Sequence, residues 1–189
     1  MEVVSIEDAA IAKRFSTRNF KEITAGNTGY QLLDDLIAAI EQMEAEENPL
    51  ISVGYRGSAR RPASERASCH RIGFYLQNFL NDRGCDAMVD CEYNRAGDGP
   101  RASAKNVDGT RSIDLIVHSR GEKGPNYLSV EAKHSVFGID SIFRDVTKLE
   151  KHAKKFQYHH MAYLIFDPTG TRVFWKPGSL NTTQVQGLL

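Results

Sequence analysis

The chain is poor in cysteine, with three (Cys69, Cys85 and Cys91) among 189 residues. The number is odd and no two sit in CxxC spacing, so neither a disulfide framework nor a cysteine zinc site is expected. Net charge is absent too: Lys plus Arg and Asp plus Glu each total 24. There is no global basic excess of the kind simple nucleic-acid binders carry. Long apolar runs and a signal-peptide pattern are missing, which predicts a cytoplasmic protein without membrane contact. Internal repeats and low-complexity segments are missing as well. The six histidines are scattered. The adjacent His159 and His160 would face opposite ways on a strand and would rarely share a metal. What remains is a chain long enough to bury a sizeable core in one domain plus an extension.

Two short segments carry the chemistry. Tyr127-Leu128-Ser129-Val130-Glu131-Ala132-Lys133 and Ser112-Ile113-Asp114-Leu115-Ile116-Val117-His118 both read as strands. With 24 acids and 10 lysines in the chain, about one acid-x-Lys tripeptide is expected by chance. The tripeptide is therefore uninformative, and its placement is what matters. Side chains alternate on a strand, so Leu128, Val130 and Ala132 share an apolar face. Glu131 and Lys133 point the other way, roughly 7 Å apart. In the partner segment Ile113, Leu115 and Val117 make the apolar face and Asp114 points away from it. The turn residues from Arg120 to Asn126 predict an antiparallel hairpin that brings Asp114 near Glu131. The same pattern fits an ordinary hairpin with one solvated, charged face. His118 lies about 13 Å along Asp114's face and reads as structural or as a distant substrate contact.

Ser64 to Leu80 has helical periodicity, with Cys69, Ile72, Leu76, Phe79 and Leu80 in one stripe. Ser64 suits the N-cap, and Gly84 ends the helix. Glu65 falls on the buried side of the first turn and is the only acid among five arginines from Arg56 to Arg71. It could join a metal site, or favour the helix dipole and pair with Arg60 or Arg61.

Charge is segregated elsewhere. Glu41, Glu44, Glu46 and Glu47 crowd one stretch, and Lys148, Lys151, Lys154 and Lys155 another. The lysines could flank a polyanion or be a solvated helix face. The N-terminal fifty residues read as a helical extension, residues 1–50, to a core of residues 51–189. In that extension Ser5 begins a short helix and Phe15 to Gly29 is loop-rich. Leu33, Leu36, Ile37, Ile40 and Met43 form a helical stripe stopped by Asn48-Pro49. Such an arm caps a core, forms a homodimer or contacts a partner protein. Gly54 to Pro62 and Gly97 to Thr110 read as loops. Met161 to Phe166 and Arg172 to Trp175 read as a closing hairpin about Asp167-Pro168-Thr169-Gly170.

The order of these elements resembles the PD-(D/E)XK nuclease superfamily, the restriction-endonuclease-like fold, and in particular a branch of small bacterial members. The matching stretches are Val89-Asp90-Cys91-Glu92-Tyr93-Asn94-Arg95, Ser112 to Gly121, and Asn126 to Lys133, covering roughly residues 60 to 170. Where that family has Pro before the aspartate, this chain has Ile113. The resemblance implies an α/β fold: an αβββαβ core with a central mixed sheet flanked by helices. It implies Mg²⁺, with Mn²⁺ substituting, held by Asp114, Glu131 and the backbone carbonyl of Ala132. Glu65 would act directly or through a water, and Lys133 would orient and help deprotonate the attacking water. The helix after the Glu-x-Lys strand, started by Asp145 to Leu149, would pack beside the active edge. Arg56, Arg60, Arg61, Lys148 and Lys151 would then hold the phosphate backbone. The activity implied is Mg²⁺-dependent endonucleolytic hydrolysis of DNA, with RNA the other substrate of the same chemistry, in defence or in a mobile element. The alternative is a non-catalytic DNA-binding or assembly subunit that keeps the fold.

Overall fold

The computed structural model describes residues 6–23, 26, 28–52, 63–92, 95–96, 103–104, 113–120, 124–135, 138–167 and 169–178. Arg56, Arg60 and Arg61, with most of the loop expected from Gly97 to Thr110, lie outside the described residues. The elements run α1 (Ile6–Thr17), β1 (Lys21–Ile23), α2 (Gln31–Ser52), α3 (Glu65–Asp82), β2 (Met88–Cys91), β3 (Arg95–Ala96) and β4 (Ser103–Ala104). They continue with β5 (Leu115–His118), β6 (Asn126–His134), α4 (Ile139–Lys155), β7 (His160–Phe166) and β8 (Arg172–Pro177). Six strands form one mixed sheet in the order β1-β8-β7-β6-β5-β2, and β3 pairs with β4. Only β6 and β7 run parallel among the paired strands described. A parallel pair needs a long crossover, and α4 supplies it.

Period-two alternation sorts the sheet's side chains between two cores. Leu128, Val130 and Ala132 of β6 and Ala162, Leu164 and Phe166 of β7 face α2 and α3. Met161, Tyr163 and Ile165 of β7 face α1 and α4. There Phe15 stacks on Phe174 at 4.0 Å between ring centroids, with the planes 8° apart. The result is an α/β sandwich with helices on both sides. Packing is continuous across residue 50: β1 pairs with β8, and the α2 stripe from Leu32 to Met43 shares a core with α3.

Helix α3 follows its pattern. Ser64 caps it, its hydroxyl accepting from Ala67 N at 3.2 Å. Gly84 takes φ +69 just beyond the end, a conformation glycine adopts without steric cost. The hairpin is antiparallel as expected, with Leu115 opposite Val130. Neither of its faces is solvated, however, because helices cover both sides; β5 is buried at every position. Ile113 packs with Ile116 on the α4 side rather than with Leu115 and Val117. Regular alternation starts at Leu115, and the chain bends at Asp114.

Two helix boundaries differ from expectation. Asn48-Pro49 does not stop α2. The helical path kinks at Glu47 (φ −126, ψ 30) and continues to Ser52, because proline is tolerated in the first turn of a new helical segment. Helix α4 starts at Ile139, not near Asp145, behind Gly138 with Asp140 in its first turn. Asp145 therefore sits in mid-helix. Between Phe15 and Gly29, β1 replaces part of the expected loop.

Candidate functional site

Four elements meet at one end of β6. The strand presents Glu131 and Lys133 two residues apart on the face covered by α4. Asp114, at the entry to β5, accepts the backbone N–H of Ala132 at 2.9 Å on Oδ2. Its carboxylate is thus anchored on the β6 backbone between Glu131 and Lys133. Glu65, in the first turn of α3, reaches the next residue along: His134 N donates to its Oε1 at 3.0 Å. From the other side α4 contributes Asp145 and Lys148, three residues apart and so on one helix face. They line one cleft of about 290 Å³ with Glu65, Asp114, Glu131 and Lys133.

The ion pairs in this cleft cross between strand and helix. Lys133 Nζ lies 2.9 Å from Asp145 Oδ2 and 3.9 Å from Glu65 Oε2. Lys148 Nζ lies 2.5 Å from Glu131 Oε1. Each β6 charge is met by an opposite charge from α4. At the rim, Arg66 pairs with Glu92 at 2.6 Å.

Burial controls the protonation of these groups. Glu131 is 2 % exposed. Its carboxyl is pushed well above the usual range by burial and then by the neighbouring Asp114 charge, with Lys148 opposing. Asp114 is pushed up to about 6, again chiefly by burial, although the Ala132 N–H and Lys148 favour its ionised form. Burial works against the charge on Lys133, but Asp145 and Glu65 outweigh it and raise its pKa. Beside Glu131 in the β6–β7 register stands Tyr163. Its hydroxyl is buried without a hydrogen-bond partner among the described residues. The three cysteines are free thiols; burial pushes Cys69 well up and Cys91 to about 11, so neither suits nucleophilic work.

A carboxyl with a native pKa above its unfolded value keeps its proton longer when folded. Between about pH 4 and 6 the native protein therefore binds more protons than the unfolded chain, and stability falls as pH rises through that window. Asp114→Asn removes this penalty and keeps an oxygen for the Ala132 N–H. In EDTA the variant is expected to exceed wild type by about 1–3 kcal/mol at pH 7 and to lose that advantage near pH 4. Urea unfolding at the two pH values reads the difference. Equal stability at pH 7 would mean that the ionised Asp114 carries no such strain.

All four residues expected to form a site, Glu65, Asp114, Glu131 and Lys133, line the cleft, and so does Ala132. Of the residues expected on the phosphate backbone, Lys148 turns into the cleft and Lys151 is exposed. Asp145 and the rim residues Arg66 and Glu92 have no site role in the sequence reading. Asp145 offers one signal, its spacing of three from Lys148, but only the position of α4 over β6 gives that spacing a meaning. His118 belongs to a separate cluster, its Nε2 2.8 Å from Asp90 Oδ2, with Arg120 on the same carboxylate. His160 accepts from Trp175 Nε1 at 3.2 Å through Nδ1, inside the core.

No family model matches this chain, and no curated protein matches it. Among solved structures it is similar to the crystal structure of SSO0001, with 13% sequence identity over 97% of this chain and 83% of that one and a TM-score of 0.31. A likeness that slight carries no argument about fold or function.

Oxygen donors dominate the cleft, a set suited to a hard divalent cation rather than to a soft one. Among the described residues, however, no three His, Cys, Asp or Glu side chains are grouped so as to hold a metal ion. The ammonium groups of Lys133 and Lys148 lie against the carboxylates instead.

Proposed function

We propose that this chain is a divalent-metal-dependent nuclease that hydrolyses DNA phosphodiesters, built on a restriction-endonuclease-like core. One observation carries the reading: Glu65 of α3 and Asp114, Glu131 and Lys133 of the β5–β6 hairpin converge in a single cleft. The element order α3, β2, β5, β6, α4, β7, with the short β3–β4 pair inserted after β2, supports it.

The residues fit Mg²⁺ in donor chemistry. Glu131 is buried and Asp114 half-buried, and their joint ionisation is costly without a cation. They would hold the ion with the Ala132 carbonyl, and Glu65 would contribute directly or through a water. When bound, the ion supplies a lowered pKa for water and neutralises charge on the phosphate. The protein's own groups do the rest. Asp114, anchored on the Ala132 N–H, fixes the donor geometry. Lys133 is held protonated by Asp145 and Glu65, so its Nζ–H groups orient the attacking water and meet charge growing on the phosphate oxygens. This favours a hydrogen-bond donor over a proton acceptor at that atom.

Incubation of the purified protein with plasmid, linear duplex, single strands and RNA, in Mg²⁺, Mn²⁺ or EDTA, tests the proposal. The expected result is DNA cleavage in either metal and none in EDTA. Duplex binding without cleavage in any metal would point to the non-catalytic DNA-binding subunit. Cleavage of RNA alone would change the substrate and keep the chemistry.

A further inference from the structure

The crosswise pairing at the cleft leaves one arrangement to explain. Lys133 is the lysine nearest Glu131 in sequence, yet its ammonium goes to Asp145 and Glu65. The cation beside Glu131 comes from α4, as Lys148. Glu131 is almost wholly buried, and a carboxylate there needs a positive partner to ionise. Lys148 is that partner. Its ammonium lines the same cleft as Asp114, so one positive charge serves the pair that the proposed reaction assigns to a divalent ion.

We propose that Lys148 is a resident counter-cation of the Asp114–Glu131 pair, displaced when a divalent cation enters and then free to reach the substrate phosphate. The proposal rests on the metal-dependent reading above. Its physical basis is local. Lysine carries a compact charge on a flexible four-carbon stem, and Lys148 keeps 18 % side-chain exposure on the cleft wall. It can turn outward without unfolding α4. Glu131 cannot follow, because it is almost wholly buried on a β6 backbone paired with β7 at Tyr163. A divalent ion carries twice the charge of the ammonium and accepts several oxygens at once. Asp145 keeps Lys133 in place throughout, so the two lysines separate in role: Lys133 stays, Lys148 moves.

Two consequences follow. Metal affinity of the free protein is held down by competition with Lys148. Metal and polyanion also bind with positive coupling, because each takes what the other releases, and that coupling is reciprocal.

Calorimetric titration of the free protein with Mn²⁺ tests this without any cleavage readout. Lys148→Met and Lys148→Gln remove the charge and keep most of the volume; Lys148→Arg keeps the charge. The neutral variants are expected to bind Mn²⁺ about tenfold tighter than wild type, about 1.4 kcal/mol, with Lys148→Arg near wild type. Addition of an uncleavable phosphorothioate duplex should tighten Mn²⁺ binding in wild type and much less in the neutral variants. Unchanged or weaker Mn²⁺ affinity in both folded neutral variants overturns the role of Lys148. If Glu131→Gln still abolishes Mn²⁺ binding in that case, the metal site survives and only the displacement falls. Absence of Mn²⁺ binding in wild type and all variants removes both.

Discussion

Asp114→Asn and Glu131→Gln are each expected to lower metal-dependent cleavage by at least about a thousandfold, roughly 4 kcal/mol of transition-state stabilisation, with the fold intact. Each change removes one carboxylate charge and little volume. The amide introduced by Asp114→Asn would keep an oxygen for the Ala132 N–H that anchors Asp114 at 2.9 Å. At Glu131 the amide stays as large as the carboxylate, and Lys148 loses only its charged partner. Folding and function therefore separate cleanly in these variants. Circular dichroism and urea unfolding should report a native protein, and in EDTA Asp114→Asn should be the more stable at pH 7. Cleavage at the wild-type rate by either variant would show that the carboxylates are not the reaction centre. Loss of cleavage together with loss of folding in one variant would be answered by the other, since the two residues sit on different segments of the sheet.

Lys133→Met should lose about 10²–10³-fold in turnover, the range associated with removing one positioned hydrogen-bond donor to developing charge. Mn²⁺ affinity and duplex binding should stay close to wild type. The reason lies in its partners: Asp145 and Glu65 hold Nζ charged and in place. Methionine fills the same space without the charge. Asp145→Asn should give a smaller loss of turnover, because Glu65 still faces the ammonium. It should also lower the pH at which activity falls on the alkaline side, since one group holding Lys133 protonated has gone. Weak duplex binding with normal turnover in Lys133→Met would instead make Lys133 a phosphate clamp.

The legible parts of the fold were those written in local periodicity. The stripe from Cys69 to Leu80 and the alternation from Tyr127 to Lys133 place α3 and β6 within a residue or two. The turn residues after Arg120 predict the antiparallel pairing of β5 with β6. The closing hairpin of β7 and β8 follows in the same way. Once two strands and one helix are fixed in register, Asp114, Glu131 and Lys133 must fall near one another, and Glu65 needs only the right end of α3. Boundaries were less legible. The kink at Glu47 and the start of α4 at Ile139 depend on capping and packing that a periodic pattern does not encode.

Local pattern was enough to specify the strands and the helix that carry the four residues, because alternation and helical spacing act over a few neighbours. It could not specify what lies over them. Glu131 reads equally well as a solvated charge or a buried one until α4 is laid across β6. The same placement turns Lys148 from an open helix face into the cleft and makes Asp145 the partner of Lys133. Those pairings join a strand to the helix that follows it, beyond the reach of any local pattern. They exist only because the parallel β6–β7 pair requires a crossover, and the crossover helix closes over the buried carboxylates.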